Sequence, residues 1–271
     1  ALGRNALCNN TTANNNTAVG KDSLFSITTG SSNTAIGKCA LYTNVSGGAN
    51  IAIGVNALRL NTASNNLAVG HCAMNDNTSG TENSAFGFLA LNNNTTANHN
   101  VALGNQSLYT STTADNNTAV GSCSLYSATT GGGNTAVGCG VMINNTTGAN
   151  NVAIGAASLC SNTTACWNVA VGQGSMKTTN TGNRNAGLGH NHLSLNTTGS
   201  GNTAVGGLNP GTYPVMYSNT TGNHNSAFGA AALCANTTGS QNVALGYIAG
   251  NNITTGSNNI MIGKGACIDS P

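Results

Sequence analysis

The side chains of this 271-residue chain with the most evident chemical capacity are acceptor asparagines, nine cysteines and a few histidines and carboxylates. Eight Asn-x-Ser/Thr triplets, at Asn10, Asn44, Asn77, Asn94, Asn145, Asn162, Asn196 and Asn236, recur at one phase of a repeat. Acceptors at a shared phase imply N-linked glycans projecting from one column on an outside turn. Further triplets lie off that column at Asn9, Asn15, Asn93, Asn105, Asn116, Asn144, Asn219 and Asn252, in a composition that also produces them by chance.

The cysteines suggest an oxidising, extracellular compartment, and their odd number leaves at least one free or paired between chains. The repeat sets Cys123 near Cys139 in adjacent coils, and Cys160 could bridge a turn to Cys166. Cys39 and Cys72 share a phase two coils apart, roughly 9–10 Å at strand spacing, which is too far for a disulfide. Catalysis finds little support. Asp22, Asp76, Glu82, Asp115 and Asp269 fall at unrelated phases or in distant coils, and no nucleophile motif surrounds any serine. His190-x-His192 alone is too little for a metal site, and no cofactor motif is present. The expectation is a protein that is not an enzyme.

The elements that position these residues follow from a repeat. A motif Asn-x-Ala-(aliphatic)-Gly ends at Gly20, Gly37, Gly54, Gly70, Gly87, Gly104, Gly121, Gly138, Gly155, Gly172, Gly189, Gly206, Gly229, Gly246 and Gly263, with a truncated copy at Gly3. The interval is 17 except for 16 between Gly54 and Gly70 and 23 between Gly206 and Gly229. One short strand with its turns, repeated at such a period, predicts an all-β chain: a β-solenoid, or β-roll, of about sixteen coils over residues 1–271. At ~4.8 Å per coil the rod would be on the order of 75 Å long.

Each column of the repeat has a physical role. Asn stands four residues before every motif glycine of a complete copy: Asn16, Asn33, Asn50, Asn66, Asn83, Asn100, Asn117, Asn134, Asn151, Asn168, Asn185, Asn202, Asn225, Asn242 and Asn259. Stacked amides of this kind can bond to the copies above and below as a ladder. None of them is an acceptor, because the second residue after each is Ala, Gly or Met. The Ala column, the aliphatic column and a Leu or Met four residues after the glycine supply a thin core, with the inward face of the strand left open. Thr-Thr pairs eight and nine residues after the glycine, then a small residue, often glycine, read as a turn in which glycine would allow positive φ. The long interval places a six-residue insertion in the 207–224 region, with Pro210, Gly211, Tyr213, Pro214 and Tyr217.

The runs Asn33-Thr34-Ala35-Ile36-Gly37, Asn151-Val152-Ala153-Ile154-Gly155 and Asn242-Val243-Ala244-Leu245-Gly246 resemble the head repeat of YadA-type trimeric autotransporter adhesins and similar motifs of phage tail fibres. That resemblance implies a β-roll, three chains side by side and a surface that binds host or matrix components. A looser similarity is to glycan-coated extracellular fibrils of aquatic microbes. Charged residues are 4% of the chain and no basic stripe exists, so nucleic acid is not an expected partner. No apolar run approaches the ~20 residues of a membrane span. The chain opens in phase with the repeat, as a mature product or an excerpt of a longer array would, and neither end reads as capped. Head-to-tail stacking would satisfy both ends and could bring Cys8 and Cys267 together between subunits. The leading expectation is a structural subunit of an extracellular, N-glycosylated filament. The alternatives are an adhesin head or tail-fibre shaft, and an ice-binding solenoid presenting threonine ladders.

Overall fold

The computed structural model describes residues 1–207 and 213–268 as an all-β, parallel β-solenoid without helix among those residues. Two compact units are distinguished, Ala1–Asn134 and Thr135–Pro271. The first holds β1 (Thr17–Val19), β2 (Thr34–Ile36), β3 (Ile51–Ile53), β4 (Leu67–Val69), β5 (Ser84–Phe86), β6 (Val101–Leu103) and β7 (Thr118–Val120). The second holds β8 (Thr135–Val137), β9 (Val152–Ile154), β10 (Val169–Val171), β11 (Ala186–Leu188), β12 (Thr203–Val205), β13 (Ser226–Phe228), β14 (Val243–Leu245) and β15 (Ile260–Ile262). Within each unit, consecutive strands pair in parallel and in register, so each motif position meets its own copy in the next coil. The truncated copy ending at Gly3 contributes only a bridge from Leu2 to Val19.

The strand alternation decides which column faces inward. Alanine at the strand centre is buried in copy after copy, while its two neighbours point outward, as in Ile51-Ala52-Ile53 and Val101-Ala102-Leu103. Period-two geometry forces this choice, because only alternate residues can share a face. Alanine fills this inward position in most coils, with Gly187 and Met261 taking it in β11 and β15. The aliphatic residue before each glycine therefore belongs to the outer surface, and the large core side chain is the Leu or Met four residues after it. Leu24, Leu41, Leu58, Met74, Leu91, Leu108, Leu125, Met142, Leu159, Met176 and Leu193 are wholly buried.

Backbone conformation explains both the glycines and some residues that are not glycine. The motif glycines of the regular coils have φ between +113° and +143°, which L side chains rarely adopt. A Cβ on Gly87 would also lie 2.4 Å from the carbonyl oxygen of Gly104. The glycines after the Thr pairs lack positive φ, contrary to the sequence-based expectation. They are small because the next coil presses on them: a Cβ on Gly30 would meet the Gly47 oxygen at 2.3 Å. Positive φ instead recurs at ordinary residues two, four and twelve positions after the motif glycine, for example Cys39, Leu41 and Ala49. There the amide turns toward a neighbouring coil: Cys39 N donates to Lys21 O, Leu41 N to Ala57 O and Ala49 N to Ser31 O. Left-handed backbone at a non-glycine costs on the order of 1 kcal/mol or more, which the intercoil bonds and burial offset.

The irregular intervals are located by the same columns. In the 16-residue coil, Thr62 stands where others have two threonines, and its N and Oγ1 both donate to Thr78 O. In the 23-residue coil the register resumes at Val215, whose carbonyl accepts from Leu193 N, and Met216 takes the buried core position. The insertion thus lies between Gly206 and Val215, and its Pro210 and Gly211 lie outside the described residues. Gly206 has no positive φ, and its N meets Leu188 O at a long 3.5 Å.

Truncating one core residue tests how far coils depend on one another. Leu108→Ala should cost about 2–5 kcal/mol, read as a lowered midpoint in urea unfolding. Gly87→Ala should destabilise as well, through the backbone clash, whereas Ala97→Gly at a small-residue turn should cost less than either.

Candidate functional site

The column of acceptor asparagines faces the interior. Asn44, Asn77, Asn94, Asn145, Asn162, Asn196 and Asn236 are wholly buried, which corrects their placement on an outside turn, and Asn219, which the insertion set off the column by count, joins them inside. Each amide nitrogen that would carry a sugar is already a hydrogen-bond donor. Asn44 Nδ2 donates to Gly47 O at 2.8 Å, and Asn162 Nδ2 to Ala165 O at 3.2 Å and Asn145 Oδ1 at 2.8 Å. A glycan there would exclude the next coil, and a buried amide without partners would cost about 1–3 kcal/mol. The Asn-Thr-Thr-Gly pattern is therefore a turn plug, in which Asn spans the turn from inside. Of the positions proposed for sugar, Asn10 and Asn252 are exposed, with Nδ2 held by Ala13 O at 3.3 Å and Ile268 O at 2.9 Å. Asn9, Asn15, Asn105, Asn116 and Asn144 are exposed too, and Asn93 is half-buried.

The expected asparagine ladder is present in both units. Asn50 N and Nδ2 each donate to Asn33 Oδ1 at 3.0 Å, and Asn50 Nδ2 also reaches Ala63 O of the following coil. Asn185, Asn202 and Asn225 repeat this in the second unit. An interior amide such as Asn50 or Asn202 thus joins three successive coils.

The turn plugs make a second, interrupted ladder. One run links Asn94 to Asn77 and Asn77 to Asn61, each at 2.6 Å; another links Asn236 to Asn219 and Asn219 to Asn196, each at 2.8 Å. The runs end where the column changes residue. Ser111 follows Asn94 and Ile253 follows Asn236, and the terminal Oδ1 atoms of Asn94 and Asn236 are buried without a partner. A third column stands eleven residues after the motif glycine and supplies an acceptor to the amide of the preceding coil. Ser31 Oγ accepts from Asn14 N at 3.1 Å, Asp115 Oδ1 from Asn98 N at 2.6 Å and Asn183 Oδ1 from Cys166 N at 2.7 Å. Sequence reasoning passed over it because Ser, Asn, Asp and Cys look unrelated until their one shared property, a short acceptor, is needed.

All nine cysteines are free thiols in this structure, which shows neither of the expected pairs Cys123–Cys139 and Cys160–Cys166. Cys160 Sγ faces Lys177 O at 3.5 Å, and Cys166 Sγ accepts from Ala149 N at 3.3 Å in the third column. Between them, Asn162 fills the inside of the turn that a disulfide would have to cross. Cys123 and Cys139 belong to different columns, two and one residues after their glycines, and Cys8 and Cys267 are exposed.

The acids are dispersed. Asp22 holds Lys21 at 3.7 Å and Asn5 at 2.9 Å, Glu82 pairs with His99 at 3.1 Å, Asp76 takes the Asn75 amide, and Asp115 serves the third column; Asp269 lies outside the described residues. His190 is exposed, whereas His192 is buried with Nε2 2.7 Å from Gly206 O, so the two imidazoles do not converge. Burial holds His192 below its ordinary pKa of 6.5, with a smaller contribution from His190, against hydrogen bonds to the backbone of Gly206 and His190 that raise it.

The outer surface carries two further patterns. Aliphatic and aromatic side chains flank each alanine, Phe86 being 53% exposed and Leu245 49%. Rings from adjacent coils stack, with Phe25 on Tyr42 and Tyr109 on Tyr126, both at 5.1 Å, and Arg184 lies 5.0 Å over Trp167. No family model matches this chain, and no curated protein matches it in sequence.

Two measurements probe the buried polar columns. Ser111→Asn extends the turn-plug run and gives Asn94 Oδ1 a donor, so it should raise stability by about 1 kcal/mol, seen as a higher Tm. Protonating His192 in the folded state is unfavourable, so the unfolded chain binds the extra proton more readily. Its contribution should be fully present above pH 6.5 and lost as pH falls below that value. His192→Ala, which restores the small residue found there in most coils, should flatten this part of the Tm-against-pH curve.

Proposed function

We propose that this chain is a structural subunit of an extracellular filament in which solenoid coils continue from one copy to the next. The observation that carries the reading is the direction of the hydrogen bonding. Strand pairing, the asparagine ladder, the turn plugs and the Thr Oγ1 bonds, such as Thr95 to Thr112 O at 3.0 Å, all run from coil to coil. A coil from another copy offers the same donors and acceptors as a coil of the same chain. Such a lattice gains stability by extension, as stacked cross-β segments do. The reading needs no active site, and the dispersed acids and histidines suit it.

Sugar on this filament belongs at exposed acceptors, Asn10 and Asn252 together with Asn9, Asn105 and Asn144. The exposed thiols of Cys8 and Cys267 are available for a link between copies. An adhesin head or fibre shaft of the YadA type is the second reading. The outward aliphatic rows of β3, β6 and β14 favour it, because a side-by-side neighbour would cover them. Ice binding has less support, since threonines such as Thr28, Thr95 and Thr146 spend their hydroxyls on the next coil.

Electron microscopy of the purified native protein is the test. Continuous filaments with a repeat near 4.8 Å along the axis are expected. Short rods that stay separate at all concentrations, or compact side-by-side trimers, would overturn the filament reading, the trimers in favour of the adhesin. Peptide mapping of the same material should find Asn44, Asn94 and Asn236 unmodified in the folded fraction, and any glycan at Asn10, Asn252 or the other exposed sites.

A further inference from the structure

The surface of the second unit repeats from coil to coil until the insertion after Gly206, and a hollow opens beside it. This cleft, about 530 Å³, is lined by Tyr213, Tyr217, Ser218, Cys234, Ala235 and Asn251. Its floor comes from the periodic columns. Tyr217, Cys234 and Asn251 occupy the same position in three successive coils, five residues after the motif glycine by the register that Met216 restores, and Ser218 and Ala235 follow them. Elsewhere this position stacks rings, Phe25 on Tyr42 and Tyr109 on Tyr126. Around Tyr217 no such stack forms: the neighbouring coils offer Ser194 on one side and the small Cys234 and Ala235 on the other. The wall is Tyr213, carried out of the periodic surface by the insertion, with its ring 5.9 Å from that of Tyr217 and tilted 30°.

The chemistry of the lining narrows the ligand. No lining side chain is charged, and burial pushes the Cys234 thiol above its ordinary pKa, so the floor is neutral. The two tyrosine rings, too close for a ligand ring to enter between them, offer apolar area to one lying along their open sides, and Ser218 and Asn251 add a hydroxyl and an amide to the lining. A pyranose ring has this mixed character, with an apolar face of C–H bonds and an equatorial edge of hydroxyls. The cleft falls within the usual size range of small-ligand sites, roughly 300–1,000 Å³. We propose that this cleft binds one or two residues of a neutral saccharide, stacked against Tyr213 and Tyr217 and hydrogen-bonded by Ser218 and Asn251. The site does not depend on the filament reading, because all of its lining residues come from one copy.

Saturation-transfer NMR on the full chain, with cellotriose, chitotriose and mannotriose as separate probes, tests the proposal. At least one trisaccharide should receive saturation at its ring C–H protons. Tyr213→Ala and Tyr217→Ala should each weaken that binding about tenfold, whereas Tyr109→Ala, at a ring stack in the first unit, should leave it unchanged. Tyr213 is 65% exposed, so its variant should keep the wild-type Tm and gives the decisive comparison should Tyr217→Ala unfold. Absence of transfer to all three sugars at ~10 mM, or binding indifferent to Tyr213, would overturn the site while leaving the filament question untouched.

Discussion

The structure depends on hydrogen bonds made by buried amides between one coil and the next. A coil of this size encloses little apolar volume: one alanine, one leucine or methionine and a few small residues. By themselves these would not offset the entropy of ordering so many turn residues. The buried asparagines solve a second problem, which is that turns bring backbone carbonyls and amides inside. Asn50 caps Ala63 O while its own N and Nδ2 meet Asn33 Oδ1, so polar groups of three coils are satisfied by one side chain. Buried polar groups stabilise only when fully paired. The repeat is regular because each partner must recur at the same height.

Regularity in turn fixes what the chain can present to its surroundings. Inward positions are committed to ladders, so variation accumulates outside, in the residues flanking each alanine and in the columns that carry Tyr, Cys, Lys or His. Where the inner pattern is broken, unpaired groups remain: the last Oδ1 of two turn-plug runs, the Oγ of Ser111 and Nδ1 of His192. Function that demands recognition has most freedom where the period itself is broken. The insertion before Val215 is such a place, since loop closure adds only slowly to the cost of a longer connection.

Cysteine illustrates how context sets the role of a residue type. Read by count, nine cysteines imply disulfides. In the coil they behave as small side chains of their columns: Cys39 and Cys72 take left-handed backbone two residues after a glycine, and Cys166 supplies an acceptor where other coils use Ser, Asn or Asp. At Cys166 the thiol is tolerated because that column asks for a short acceptor, which sulfur supplies.

The sequence by itself determined the parallel β-solenoid, its period and its first asparagine ladder. Those follow from stacking identical positions, and periodicity is a property of the string. It also revealed the buried Leu and Met column, though Met216 was hidden by the insertion that shifts its phase. What only the tertiary structure decided was direction. Whether alanine or its aliphatic neighbour points inward, whether the Asn-Thr-Thr turn shows its amide to solvent or to the core, and which cysteines face one another depend on backbone φ at residues such as Leu41 and Ala49. A left-handed residue rotates the chain after it to the opposite side, and nothing in the identity of a leucine or an alanine announces that conformation. The acceptor triplets were therefore legible as a column but not as an interior one. Burial is a relation among coils that no single repeat contains.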